Sequence, residues 1–166
     1  MHIVCILLEP QASALRQIDM RLTLWTDYAL RTLIHVGAKG DALSTIAEIA
    51  ATFAVSRTHL MKIVNRLAQK GYVETVRGRG GGLRLARSAA TISIGAVVCD
   101  VEEDLAVMGC LDGPGFCRIE GCCTLKRALS EATQAFMATL DRYTLADLLE
   151  PKARLRRSLG IDAGAR

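Results

Sequence analysis

Between Trp25 and Val36, apolar residues at 30, 33 and 34 fall on one side of a helical repeat. Thr26 stands where a cap is needed, and Gly37 and Gly40 where the helix must stop. Ser44 then precedes a compact apolar face of Ile46, Ala47, Ile49, Ala50 and Phe53, which predicts a short second helix ending before Val55. Ser56 caps a third helix, in which Leu60, Ile63, Val64 and Leu67 recur at i, i+3, i+4 and i+7 and which Gly71 closes. The period then changes. Tyr72 to Val76 reads as a strand, Arg77 to Gly82 as a turn, and Leu83-Arg84-Leu85 as the returning strand. Ser93 caps an apolar helix running to about Val101, and a cysteine-rich loop spans residues 109–123. A long helix from Leu125 to about Leu140 carries Leu125, Ala128, Leu129, Ala132, Ala135, Phe136 and Leu140 along one side. The expected fold is mostly α with a small β-hairpin wing: a winged helix-turn-helix over residues 43–87, followed by a long helix.

The chain divides accordingly. Residues 1–19 carry no helix pattern that continues into the next element and read as an extension, disordered or added by an upstream start codon. Residues 20–90 form the winged domain, 91–124 a helix and the cysteine-rich loop, 125–150 the long helix and the segment after it, and 151–166 a C-terminal tail. With 166 residues, 51% of them hydrophobic and 23% charged, the chain can bury one core and carry a helical appendage. The apolar run from Ile3 to Leu8 is shorter than a signal core and follows no basic segment, so the expected location is cytoplasmic, without membrane insertion. The net charge of +4 is unevenly spread: residues 20–90 hold eleven Lys and Arg against four Asp and Glu, and residues 91–123 hold one against six. A basic head on an acidic neck suits a polyanion, although a solvated basic face gives the same balance.

With its apolar stripe turned inward, the third helix leaves Thr58, Lys62, Asn65 and Gln69 on the opposite side, with Arg57 and His59 near the end that would enter a major groove. Arg reads guanine and Asn reads adenine through paired hydrogen bonds, while Lys62 and the helix N-terminus suit phosphates. The plain alternative is an ordinary solvated helix face. Arg77-Gly78-Arg79-Gly80-Gly81-Gly82 resembles a phosphate-binding loop, but such a loop must lead into a helix, and here a strand follows. A wing is favoured, its arginines Arg77 and Arg79 reaching phosphates or a minor groove. A flexible exposed turn is the alternative.

Six cysteines are many for a reduced compartment, and four lie within fourteen residues, which points to a metal or to redox chemistry. Cys110, Cys117 and Cys123 are spaced C-x6-C-x5-C, matching neither paired zinc knuckles nor the bacterial ferredoxin run. Reactive thiols and a three-cysteine zinc site stay open on spacing alone. Cys122 directly precedes Cys123 and is the weaker ligand, Cys99 reads as a core thiol, and Cys5 belongs to the extension. A fourth ligand must come from elsewhere. Asp27 lies four residues before Arg31, and an intrahelical ion pair is the simplest account of both. No nucleophile and base can be paired for catalysis, so the chain does not read as an enzyme.

Taken together, RLTLWTDYALRTL at 21–33, VSRTHLMKIVNRLAQKGYVETVRGRGGGLRL at 55–85, ISIGAVV at 92–98, FCRIEGCCTLKRAL at 116–129 and YTLADLL at 143–149 resemble the NsrR family of nitric-oxide-sensitive repressors. That family is related to the iron-sulfur biogenesis regulator IscR. The resemblance covers nearly all of residues 20–150. It implies a homodimeric winged-helix regulator of an operator in double-stranded DNA, whose long helix serves dimerisation. It also implies an iron-sulfur cluster, [4Fe-4S] or [2Fe-2S], held by Cys110, Cys117 and Cys123, with nitric oxide as the signal. Asp27 matches the aspartate that completes the partner's cluster in some members, which reverses the ion-pair reading and makes Arg31 its neighbour in support. IscR-like proteins carry a His three residues after the third cysteine, where this chain has Lys126, and that favours the nitric-oxide sensor. A regulator answering to iron or cluster supply is the nearest alternative; a metal-free thiol-redox or interaction module is the alternative from another class.

Overall fold

The computed structural model describes residues 22–102 and 117–161. The extension at 1–19 with Cys5, the third expected ligand Cys110, and residues 162–166 lie outside the described residues. The order is α1 (Leu24–Lys39), α2 (Ile46–Phe53), α3 (Arg57–Gln69), β1 (Val73–Val76), β2 (Gly82–Leu85), α4 (Ile94–Val101), α5 (Thr124–Leu140), α6 (Leu145–Leu148) and α7 (Lys152–Ser158). The expected mostly helical architecture with one antiparallel hairpin is present.

α3 holds the head together because its single buried stripe serves two cores. Leu60 and Val64 pack with Val36, Ile49, Ala50, Val55 and Leu83, joining α1, α2 and β2. One row over, Ile63 and Leu67 pack with Ala29, Leu33, Tyr72, Val73, Val97 and Leu145, joining α1, β1, α4 and α6. Full burial of one such aliphatic side chain contributes roughly 1.5–3 kcal/mol. The turn between α2 and α3 is tight: Ala54 takes a left-handed φ of 53° and donates its N–H to Ala50 O, and Val55 follows as a buried residue. At α2, Thr45 and Glu48 form a reciprocal capping box, with Thr45 N donating to Glu48 Oε2 at 2.8 Å and Glu48 N to Thr45 Oγ1 at 3.1 Å.

The hairpin pairs Val73 with Leu85 and Val76 with Gly82. Its turn demands glycine: Gly78 and Gly80 have φ of 107° and 80°, and a Cβ on Gly81 would collide with the carbonyl oxygen of Val76. Ser44 adds a bridge to the outer strand, exchanging hydrogen bonds of 3.0 and 2.7 Å with Leu83, so the α1–α2 connection is sewn to the wing. A second bridge, Ser93 to Thr144, ties the start of α4 to the start of α6.

Four expectations need correction. Thr26 does not cap α1; the helix begins one turn earlier, with Thr23 at the cap, and Thr26 is fully buried inside it with no hydrogen-bond partner for its hydroxyl. Gly37 does not stop α1 either: it lies within the helix, where Leu149 packs against it, and Gly40 is the residue past the end. Cys99 is exposed, because the buried stripe of α4 falls on Ile94, Val97, Val98 and Val101 and leaves residue 99 outside it. Finally, the presumed tail contains α7, whose Arg156 donates from Nη1 to Ala38 O at 2.7 Å, placing a cation at the C-terminal end of α1.

His35 is buried between these layers, its Nδ1 3.2 Å from Ser44 Oγ and its ring edge-on to Phe53. Burial, and then the charge of Lys39, push its pKa below the ordinary 6.5, with Glu48 opposing. The unfolded chain therefore takes up this proton first, so the contribution of neutral His35 is complete above about pH 6.5 and is lost as the pH falls towards the depressed folded value. Urea unfolding at about pH 7.5 and about pH 5.5 should show this loss, and His35→Gln should reduce it; equal losses in both proteins would refute the assignment. Leu67→Ala, at the point where α3 meets α1 and α4, should destabilise the chain by about 2–5 kcal/mol in the same measurement at neutral pH.

Candidate nucleic-acid interface and cysteine segment

α3 presents Arg57, Thr58, His59, Lys62, Asn65 and Gln69 to solvent, the set expected from its period. Ser56 is the N-cap but makes no side-chain capping bond, so the first amides of α3 are not claimed by their own cap. Two exposed residues on this helix were not foreseen. Met61 is 59% exposed, an unusual outlay of apolar surface that suits contact with a thymine methyl, and Arg66 turns back to donate from Nε to Asp100 O at 3.1 Å. Simple helical geometry places both away from the Leu60–Ile63–Val64–Leu67 stripe, so the same period read for its outer face would have found them.

Arg77 and Arg79 are exposed in the wing turn, separated by Gly78. Behind them, Arg84 pairs with Glu74 across the hairpin, and Arg87 lies 4.3 Å over the Tyr72 ring. Arg84 and Arg87 are thus engaged within the fold, while no ion pair is made by Arg77 or Arg79 among the described residues. That division gives the wing tip the cations suited to phosphate.

The end of α3 is fixed by α4. Asp100 receives Lys70 Nζ at 2.6 Å on one carboxylate oxygen and the Tyr72 hydroxyl at 2.7 Å on the other. The Lys70 hydrogen bond is the largest of the influences that hold the Asp100 carboxyl below its ordinary range, and burial joined with the Asp100 charge pushes the Tyr72 hydroxyl up to about 12.

Of the three expected cluster cysteines, two are described. Cys117 is exposed, and Cys123 is the N-cap of α5, where its sulfur accepts from Lys126 N at 3.4 Å. Cys122, in the 3-10 turn Glu120–Cys122, donates its thiol to Ile119 O at 3.5 Å. Asp27 pairs with Arg31 Nε at 2.7 Å, the two side chains 37% and 44% exposed, and the Arg31 guanidinium lies 5.7 Å over the Phe53 ring. Among the described residues no group of three or more His, Cys, Asp or Glu side chains is gathered closely enough to hold a metal ion. The donors nonetheless suit a soft metal centre, because cysteine sulfur favours iron and sulfide.

Residues 22–151 match the Rrf2 family, described as iron-dependent transcriptional regulators. The chain belongs to the Rrf2 family. Rrf2 relatives extend the match: the HTH-type transcriptional regulator NsrR of Geobacillus kaustophilus (strain HTA426) is 50% identical over 139 residues, 82% of this chain and 95% of its own length. The protein of the same name from Bacillus subtilis (strain 168) is 46% identical over 142 residues, 84% of this chain and 97% of its own. Among solved structures, CymR (YrzC), the global cysteine regulator of B. subtilis, superposes with a TM-score of 0.64 at 25% identity, covering 78% of this chain and 95% of that one. As an Rrf2 protein the chain is a DNA-binding transcriptional regulator and not an enzyme, in keeping with the winged helix-turn-helix. Among the described residues no helix is long and apolar enough to cross a membrane.

If Arg79 contacts phosphate from the wing, Arg79→Ala should weaken binding to every duplex sequence and reduce the slope of log Kd against log salt by about one. Fluorescence anisotropy on several duplexes across a salt series reads this directly. An effect restricted to one base position would instead make Arg79 a base reader.

Proposed function

We propose that the protein is a cytoplasmic, homodimeric repressor that carries an iron-sulfur cluster and releases its operator in response to nitric oxide, controlling genes of nitric-oxide detoxification. The observation that carries this reading is the 50% identity to the NsrR regulator over 139 residues. The dimer is supported by α5, a 17-residue helix with an apolar side and no buried residue, whose Leu125 is 56% exposed; a second copy of the same helix is the natural cover. Cys110, Cys117 and Cys123 would hold the cluster, with Asp27 of the partner subunit as fourth ligand. When bound, the cluster supplies iron that reacts with nitric oxide.

The chain's own part lies in how readily Asp27 changes partner. An exposed i, i+4 pair such as Asp27–Arg31 stabilises a helix by only about 0.2–0.5 kcal/mol, so Asp27 leaves Arg31 at small cost. A carboxylate is also a harder, weaker ligand for such a centre than a thiolate, and Arg31 stands ready to take it back. The N-terminal turn of α1 can therefore give up this pair at small cost. Two heads related by a dimer axis must present their α3 helices roughly 34–36 Å apart to meet successive major grooves, and a shift of α1 spoils that spacing.

The description of the family as iron-dependent supports a second reading, in which the same ligands report iron or cluster supply. Anaerobically purified protein should be coloured; Cys110→Ala, Cys117→Ala and Cys123→Ala should each abolish the visible bands, while Cys122→Ala and Cys5→Ala keep them. Asp27→Ala should keep a coloured protein with an altered spectrum and altered operator release on titration with nitric oxide. Colour surviving all three single cysteine replacements would overturn the ligand set. Release on cluster removal but not on nitric-oxide addition would favour the second reading.

A further inference from the structure

α4 ends at Val101, and the chain passes from there into the cysteine segment. Val101 is buried, and the carboxylates on either side of it face different elements. Asp100 binds Lys70 Nζ and the Tyr72 hydroxyl, and its carbonyl oxygen accepts from Arg66, so three groups at the C-terminal end of α3 converge on one residue. Glu102 is only 8% exposed and accepts from Thr23 N at 2.7 Å and Thr23 Oγ1 at 3.1 Å. Thr23 is the N-cap of α1 but makes no capping bond with its own side chain, so a carboxylate 79 residues away terminates the helix that carries Asp27. Between these contacts lies a cleft of about 460 Å³ lined by Trp25, Lys62, Asn65, Gln69 and Glu102. The root of the cysteine segment thus opens onto the same cleft as the outward polar row of α3.

Three consecutive residues are held in three directions: Asp100 to α3, Val101 to the core, Glu102 to α1. Hydrogen bonds with an ionised partner are stronger than neutral ones, and breaking one leaves a partly buried charge unsatisfied. Residues 100–102 therefore cannot shift without dragging one of the two helix ends or losing the bond to it.

We propose that Asp100 and Glu102 form a two-ended clasp through which the state of the cysteine segment sets the recognition helix: they are positioning residues that make the C-terminal end of α3 and the N-terminal end of α1 move together. This rests on the reading of that segment as the cluster site. The coupling is read as the ratio of operator Kd for cluster-free protein to that for cluster-loaded protein. Asp100→Ala should load cluster with an unchanged spectrum and lower this ratio about tenfold, within the range of ordinary allosteric couplings. Tyr72→Phe, which removes only a hydroxyl from a buried ring, should lower it less and in the same direction, and it decides the matter if Asp100→Ala does not fold. Equal weakening of both Kd values, with the ratio unchanged, overturns the clasp. A second readout needs no cluster. In hydrogen exchange on the full-length protein, Glu102→Ala should accelerate exchange at the amides of residues 23–27 and also at 70–72; acceleration confined to 23–27 overturns the proposal. If the wild-type protein takes up no cluster, the cluster reading fails by itself, and the exchange result still decides whether the two helix ends are joined.

Discussion

Leu60, Ile63, Val64 and Leu67 are all nearly inaccessible, yet they divide between two separate groups of buried residues. This is the constraint on which the head depends. A helix packed into a single core can rock about its contact line, whereas one wedged between α2 and the wing on one side and α4 and α6 on the other has its rotation fixed. Fixing the rotation fixes which residues face outward, so the direction of Lys62, Asn65 and Gln69 is a consequence of apolar packing behind them. Lys70, Tyr72 and Asp100 then add a polar stop at the C-terminal end, where packing alone would leave the last turn free to fray.

The same logic orders the charges. Arg66 and Lys70 reach Asp100, and Arg84 reaches Glu74, so several of the head's cations are used to hold elements together. Those at the wing tip and along the outer row of α3 are the ones left to meet a polyanion. Of the acidic residues after position 91, Asp100 and Glu102 serve as internal partners, one for Lys70 and one for Thr23. The uneven distribution of charge along the sequence is therefore both an attraction for nucleic acid and an anchoring scheme.

How much of this was legible in the sequence follows from the range of each interaction. The helix periods, the hairpin and the outward set Arg57, Thr58, His59, Lys62, Asn65, Arg77 and Arg79 are local consequences of side-chain spacing, and the described residues place them as expected. Thr26 was misread because a Thr near the start of a helix looks like a cap whichever turn it occupies; here the cap is supplied to Thr23 by Glu102, which no local window contains. Cys99 was misread because α4 is apolar nearly all round, and such a helix does not announce its exposed side. α7 is short and basic, and its docking uses a long-range bond from Arg156 to Ala38 that no local window contains. The pairing of Asp27 with Arg31 was legible from spacing. Its proposed second partner was legible only through resemblance, since a ligand given to another subunit leaves no periodic trace.

These long-range contacts share a feature with consequences for regulation. α1 is held at its C-terminal end by Arg156 and at its N-terminal end by Glu102, and neither residue belongs to the helix-turn-helix. Its middle is locked, with Ala29, Leu33 and Val36 fully buried, so disturbance at either end passes along a stiff rod before it dissipates in side-chain motion. Both ends rely on charge-assisted bonds, and the N-terminal one also carries the exposed Trp25 and the half-exposed Asp27. A regulator built this way needs no large rearrangement to change its affinity. A small displacement of the first turn of α1, coupled through Asp100 and Glu102 to the last turn of α3, acts on the recognition helix from the end opposite Arg57 and His59.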